Sequence, residues 1–334
     1  MPLILDRNEV LDVYLEARER KWVIPSFNTE NLTTIEAILE AVFRYGKTKN
    51  IKSLPIITGI TNNYESRPQS VLYTNTRKWN IGLLLFLKNL EVLTSKDSPY
   101  KDLKVMIHLD HIQWNTDIQL LKWDMNQFSS IMYDASTLPF EMNIKNTAEF
   151  VERNKDNIVI EGACDEIVNV PNGSNNHLTT PEQAEKYFNE TAVDIIVANL
   201  GTEHRSSTSS LKYEGELARS ISKKIGPCLC LHGASSVAED QISHLFDDGI
   251  CKVNIWTALE RDSSPVLFKR MLENASKIVG PEKAREMQEK GFIGKNIDVE
   301  SSHSIKYFTS KFRREVVFKQ MQEIVLKYLN LLYK

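Results

Sequence analysis

Apolar, β-prone residues cluster in eight short runs along the chain, at residues 22–26, 54–58, 105–109, 130–133, 158–160, 194–200, 228–231 and 252–255. Most of these runs are continuously apolar rather than alternating, which is the pattern of parallel strands covered on both faces. Helical spacing fills the gaps between them. Leu32, Ile35, Ile38, Leu39 and Val42 form one apolar stripe, with Gly46 as the expected C-cap. Thr180 followed by Pro181 reads as a capped helix start, and 217–221 and 238–246 give two further amphipathic segments. Residues 62–102 are longer than one barrel helix needs, so an extra loop is expected before a helix at 79–93. The alternation of strand and helix predicts an α/β fold, a single (β/α)8 TIM barrel. Its core is expected at about 20–260, with a helical C-terminal extension over 261–334 whose apolar faces seat on the barrel or on a second subunit.

Polar residues that can do chemistry collect where these runs end. His108-Leu109-Asp110-His111 closes the third run and is expected to open into a loop. Asp134 and Glu161 close the fourth and fifth, His204 follows the sixth, His232 ends the seventh, and Asn254 lies in the eighth. A (β/α)8 barrel builds its active site from the C-terminal ends of its strands, so this recurrence marks one site rather than scattered polar residues.

Composition narrows the possibilities. The 334 residues are 42% hydrophobic, enough for a large core, and the net charge of −3 with dispersed basic residues gives no footprint for nucleic acid. The densest apolar run, 81–87, is far shorter than the roughly 20 residues of a membrane span. No basic start and long apolar stretch follow Met1, so neither a secretory leader nor a membrane partner is expected. The four cysteines form no C-x-x-C pair, and Cys228 and Cys230 read as buried, reduced thiols, in keeping with a cytoplasmic protein.

Three histidines at strand ends suit a catalytic zinc, which takes three protein ligands and keeps an open position. His204 and His232 are two candidates. The third is His108 or His111, and spacing alone leaves that choice open, since a period of two puts His108 and Asp110 on one face. Asp110 beside a metal suits a general acid/base, or else a carboxylate that orients a ligand histidine. His232-Gly233-Ala234-Ser235-Ser236 and Asn254-Ile255-Trp256-Thr257 follow strands seven and eight, where barrels often hold phosphate on backbone N–H groups and helix N-termini.

Several segments in order resemble the class II, zinc-dependent ketose-bisphosphate aldolases. They are Pro25-Ser26-Phe27-Asn28, His108-Leu109-Asp110-His111, residues 129–136 (Ser-Ser-Ile-Met-Tyr-Asp-Ala-Ser), Leu138-Pro139-Phe140-Glu141, Gly201-Thr202-Glu203-His204, Leu231-His232-Gly233-Ala234-Ser235 and residues 249–255. The resemblance implies cleavage or formation of a phosphorylated ketose through a zinc-bound enediolate of dihydroxyacetone phosphate. It implies His111, His204 and His232 as ligands of Zn2+, with Co2+, Mn2+ or Fe2+ as alternatives. It further implies Asp110 as the acid/base on the aldehyde oxygen, and Asn28, Gly233, Ser235, Asn254 and Thr257 as substrate contacts. Relatives are often dimers or tetramers, so a homo-oligomer is expected.

Departures from that pattern are equally specific. The strand-five segment reads Glu161-Gly162-Ala163-Cys164-Asp165-Glu166, where relatives carry a second glutamate at the position of Ala163 and a glycine-rich acidic loop. Glu166, or Asp165, is then the candidate for the proton-abstracting base. Arg205 stands where a glycine is usual and suits an anionic group of the substrate. Trp256 replaces a small or acidic residue, and Gly59 a glutamine. Two other readings follow from these changes: a different zinc-enolate enzyme, such as an epimerase or an aldolase on another donor, and a non-catalytic aldolase-like barrel subunit.

Overall fold

The computed structural model describes residues 3–65, 67–165, 178–202 and 213–334. Eight parallel strands close into a barrel in sequence order. They are β1 (Ile24–Asn28), β2 (Pro55–Thr61), β3 (Lys104–Gln113), β4 (Ser130–Asp134), β5 (Val159–Ala163), β6 (Ile195–Val197), β7 (Leu229–Leu231) and β8 (Ile250–Ile255). Each expected run supplies one strand, and nearly every strand residue is buried, because side chains on one face fill the barrel and those on the other meet the helices.

Boundaries moved where polar pairing overrode the apolar pattern. β6 stops at Val197 because the chain turns to another partner: Asn199 N–H donates to Thr179 Oγ1 at 2.7 Å. The helix Leu32–Lys49 runs through Gly46 and ends at Asn50, whose left-handed φ of 54° makes it the cap. Thr180 and Gln183 form a full capping box at Pro181–Thr191. The segment 238–246 holds only the short helix Glu239–Ile242. Cys228 lies just before β7 and is half-buried, whereas Cys230 is fully buried; both are free thiols.

The largest departure is in β3. The strand does not open into a loop at Asp110 but continues to Gln113. Leu109 pairs with Ile131 and Ile112 with Tyr133, so β3 spends three steps where β4 spends two. The extra residue is a β-bulge, and His111 takes it up with φ 47°. A non-glycine residue in that region costs of order 1–3 kcal/mol and persists where the surrounding structure imposes it, often at functional sites.

The C-terminal extension seats on the barrel. Met321, Ile324, Val325, Tyr328, Leu329 and Leu332 of helix Ser310–Leu332 join the main core, against the helices Leu32–Lys49 and Thr257–Glu273. The last residues then pack near the N-terminal ends of β1 and β2: Tyr333 donates its hydroxyl to Pro55 O at 2.6 Å, and its own carbonyl accepts from Tyr45 Oη at 2.7 Å. Among the described residues no helix is long and apolar enough to cross a membrane.

Candidate active site

The bulge in β3 makes the site. In a regular strand Asp110 and His111 would face opposite sides; here both point into the C-terminal mouth. Asp110 accepts from Asn28 Nδ2 (2.7 Å) and Arg67 Nη2 (2.8 Å) on Oδ2, and from Asn254 Nδ2 (2.9 Å) on Oδ1. His111 lies against β4, with Nδ1 2.8 Å from Asp134 Oδ2, and its ring stands 4.9 Å from that of His232. Tyr64 stacks on its face at 4.3 Å.

Hydrogen bonding separates the two histidines that spacing left equivalent. His108 is fully buried one layer below the mouth. Its Nε2 faces Lys252 Nζ at 3.1 Å and its Nδ1 faces Ser130 Oγ at 2.8 Å. An ammonium only donates, so Nε2 must accept and Nδ1 must carry the proton. Both nitrogens of His108 are thereby used within the barrel. For His111 the carboxylate of Asp134 accepts a hydrogen bond from Nδ1–H and so turns the lone pair of Nε2 to the mouth. Glu161 Oε1, 3.0 Å from His232 Nε2, likewise leaves Nδ1 of His232 as the lone-pair nitrogen.

The charges are tuned to match. Burial alone would raise the Asp110 carboxyl, but the adjoining imidazoles of His111, His108 and His232 and the Arg67 guanidinium outweigh it and hold the group well below the usual carboxylate range. Burial lowers His232 to about 4, which keeps the imidazole neutral and able to bind a metal at pH 7. Beneath them Lys252, fully buried and kept protonated, donates to Glu161 Oε2 at 2.7 Å.

Ligand atoms of Asp110, His111 and His232 lie within 4.8 Å of one another in a buried setting, and imidazole nitrogens with a carboxylate suit a divalent ion such as zinc. Glu161, Cys230 and His232 form a second group of that kind, but Glu161 is already neutralised by Lys252. The third expected ligand, His204, and with it Arg205 and Glu166, lies outside the described residues. Asp165 is engaged, accepting from Thr179 Oγ1 at 2.6 Å.

On the opposite rim the expected phosphate residues are only partly assembled. Gly233 takes φ 70°, and Ser235 Oγ accepts from Ala258 N–H at 3.2 Å. Ser235 thus caps the helix Thr257–Glu273 from a neighbouring loop, which brings it beside Thr257, while Asn254 is turned to Asp110. Gly59 has a local reason: a Cβ there would stand 2.4 Å from Asn28 Oδ1, so the glycine is what lets Asn28 lean toward Asp110. Trp256 closes the β1–β8 side, donating its indole N–H to Glu30 at 2.6 Å and lying 4.9 Å from the Arg67 guanidinium.

Arg67, Tyr64 and Gln69 were not legible in the sequence, since they lie in the extra loop after β2 with no periodic signal. Lys252 was also missed, although a lysine inside an apolar strand run is a signal in itself, because it needs a buried partner.

Glu260 gives a test of the acidic rim beside Trp256. Burial, then the nearby Glu30 carboxylate, push its carboxyl up to about 7. Its folded value exceeds the unfolded one, so the native state binds more protons. The associated stability is present below pH 4.5 and is lost as pH rises through 7. Glu260→Gln is therefore expected to stabilise the protein by about 1–2 kcal/mol at pH 8, after allowance for partial exposure, and by much less near pH 4.5. Urea midpoints of the two proteins at both pH values, at fixed metal content, measure the difference.

Known proteins resemble this chain in sequence and in fold. The family model described as fructose-bisphosphate aldolase class-II matches residues 8–332. A fructose-bisphosphate aldolase of Giardia intestinalis is 26% identical over 269 residues, covering 72% of this chain and 75% of its own. Among solved structures, the fructose-bisphosphate aldolase of Campylobacter jejuni superposes with TM-score 0.76 at 18% identity, over 99% of this chain and 95% of that one. The YdjI aldolase of Escherichia coli K12 gives 0.63 at 19% identity, over 96% and 94%. At these identities the two structures speak for the fold, whereas the family match spans nearly every residue from the first helix to the last, and on that ground this chain belongs to the class II fructose-bisphosphate aldolase family.

Proposed function

We propose that the protein cleaves a phosphorylated ketose, or forms it, with dihydroxyacetone phosphate as the three-carbon half. The observation that carries this reading is Asp110: a fully buried carboxylate, held ionised between two metal-competent histidines and three amide or guanidinium donors at the barrel mouth. His111 and His232, with His204, would hold the divalent ion, zinc in the first place. That ion supplies a Lewis acid for the ketose carbonyl and so favours loss of the adjacent proton.

Asp134 and Glu161 orient the two imidazoles and strengthen them as ligands. In the cleavage direction Asp110 takes the proton from the hydroxyl on the carbon that becomes the aldehyde carbonyl as its bond to the donor half breaks, and in condensation it returns that proton to the aldehyde oxygen. Asn28, Arg67 and Asn254 fix its two oxygens, so it needs no reorganisation when the proton arrives. The backbone at Gly233, Ser235, Thr257 and the N-terminus of Thr257–Glu273 suit the phosphate, with Arg205 as a further cation. Glu166, or Asp165, is the proposed base on the dihydroxyacetone phosphate carbon. A homo-oligomer is proposed on family grounds alone.

The test needs no knowledge of the aldehyde. Metal-loaded protein is incubated with dihydroxyacetone phosphate in D2O, and the hydroxymethyl protons are followed by NMR. Stereospecific exchange that a chelator abolishes is the expected result. Absence of exchange from protein with verified metal content would remove dihydroxyacetone phosphate as the donor.

A further inference from the structure

A polar cavity of about 270 Å³ opens beside His111 on the β3–β5 side of the mouth. We infer that it receives the aldehyde half of the substrate, and that this half is a neutral, polyhydroxylated aldehyde rather than a phosphorylated one. The inference rests on the function proposed above.

Placement comes from the topology. The residues suited to phosphate lie in the loops after β7 and β8. In the closed order of eight strands, β3 and β4 are four steps away, directly across the mouth. His111 reaches in from β3 and His232 from the end of β7, and their rings meet at 4.9 Å. A ketose 1-phosphate with its phosphate on the β7–β8 side and its carbonyl at the histidines therefore extends its remaining carbons toward the cavity.

Its lining sets the chemistry. Asn63, Gln113, Asn115 and Thr137 offer amide and hydroxyl groups, and Asp134 and Asp165 offer carboxylates. Sugar hydroxyls both donate and accept, so they match such a mixed wall. A phosphate would face Asp134, Asp165 and Glu65, and no lysine or arginine occurs among the described lining residues. Arg67, beyond Tyr64, is engaged with Asp110 at 2.8 Å and sits over Trp256. The β1–β8 flank offers an anion no better reception, since Glu30 and Glu260 lie there side by side. Like-charge juxtaposition of this kind selects against the wrong partner.

The experiment holds dihydroxyacetone phosphate constant and compares glyceraldehyde with glyceraldehyde 3-phosphate as acceptor, reading kcat/KM for each. The neutral aldehyde is expected to be favoured by about 10-fold or more. Asn115 is exposed at the cavity rim, so a lysine there is compatible with folding. Asn115→Lys is expected to shift the ratio toward the phosphorylated aldehyde by about 10-fold, whereas Asn115→Gln, which alters the wall without adding charge, changes the rates with both aldehydes together and leaves their ratio within about 2-fold of the parent's. Preference of the parent for glyceraldehyde 3-phosphate, or an unchanged ratio in Asn115→Lys, overturns the inference. Proton exchange on dihydroxyacetone phosphate is run alongside. Exchange with the wrong aldehyde preference sinks the aldehyde assignment alone, whereas no exchange sinks the donor and this inference with it.

Discussion

Asp110→Asn is expected to lower the rate of carbon–carbon bond cleavage by about 10²–10⁴-fold, the usual worth of a positioned acid/base. The amide removes the proton acceptor and has a second consequence here. Every group around the carboxylate is a donor: Asn28 Nδ2, Arg67 Nη2 and Asn254 Nδ2. One oxygen exchanged for NH2 sets donor against donor, so some loss of stability, about 1–3 kcal/mol, accompanies the loss of rate. The two contributions separate by measurement. If Asp110 serves the aldehyde oxygen, cleavage falls far more than proton exchange on dihydroxyacetone phosphate does. Equal falls in both, with a matching drop in the urea midpoint, would show that the carboxylate only holds the mouth together.

The second large effect is structural and lies one layer deeper. Lys252 is fully buried, with Nζ 2.7 Å from Glu161 Oε2 and 3.1 Å from His108 Nε2. Lys252→Met removes the ammonium and leaves Glu161 as a buried carboxylate without its main counter-charge. Breaking one side of a buried pair typically costs about 3–5 kcal/mol, a large share of the about 5–15 kcal/mol that holds a native protein. Lys252→Met is therefore expected to unfold at much lower urea, or to fail to accumulate. Adding Glu161→Gln removes the stranded charge, so the double variant should regain a large part of the loss. A single variant within 1 kcal/mol of the parent, or a double variant worse than the single, would falsify this account of the barrel interior.

The same pair links stability to the site. Glu161 orients His232 through Oε1 while Lys252 holds Oε2, so the carboxylate stays ionised and its hydrogen bond to the imidazole stays fixed. The double variant is therefore expected to recover folding without recovering metal affinity, because outer partners of a ligand histidine commonly contribute 10–100-fold to binding.

Much of this protein is determined by its sequence alone. Eight continuous apolar runs separated by helical spacing leave one economical arrangement, because strands covered on both faces must lie in a parallel sheet wrapped by helices. With the barrel given, Asp134, Glu161, His232 and Asn254 follow as mouth residues, together with one of His108 and His111, since chemistry collects at strand ends in this fold. The capped helix at Pro181 was equally plain, because a capping box is local chemistry.

Tertiary structure decided what depends on neighbours distant in the chain. The surroundings of His108 and His111 turned on Lys252 and Ser130, which take both nitrogens of His108, and on one extra residue in β3 that aims His111 at the mouth. A bulge of that kind leaves no mark in a pattern of period two, because it breaks the pattern only where the barrel requires it. Arg67 reaches Asp110 across 43 positions, and Ser235 caps a helix that begins two loops away, so neither pairing could be read from spacing. Periodicity reports which face a residue takes within its own element; the partner it meets there is set by closure of the barrel, which brings β8 back against β1 and the ends of all eight strands around one mouth.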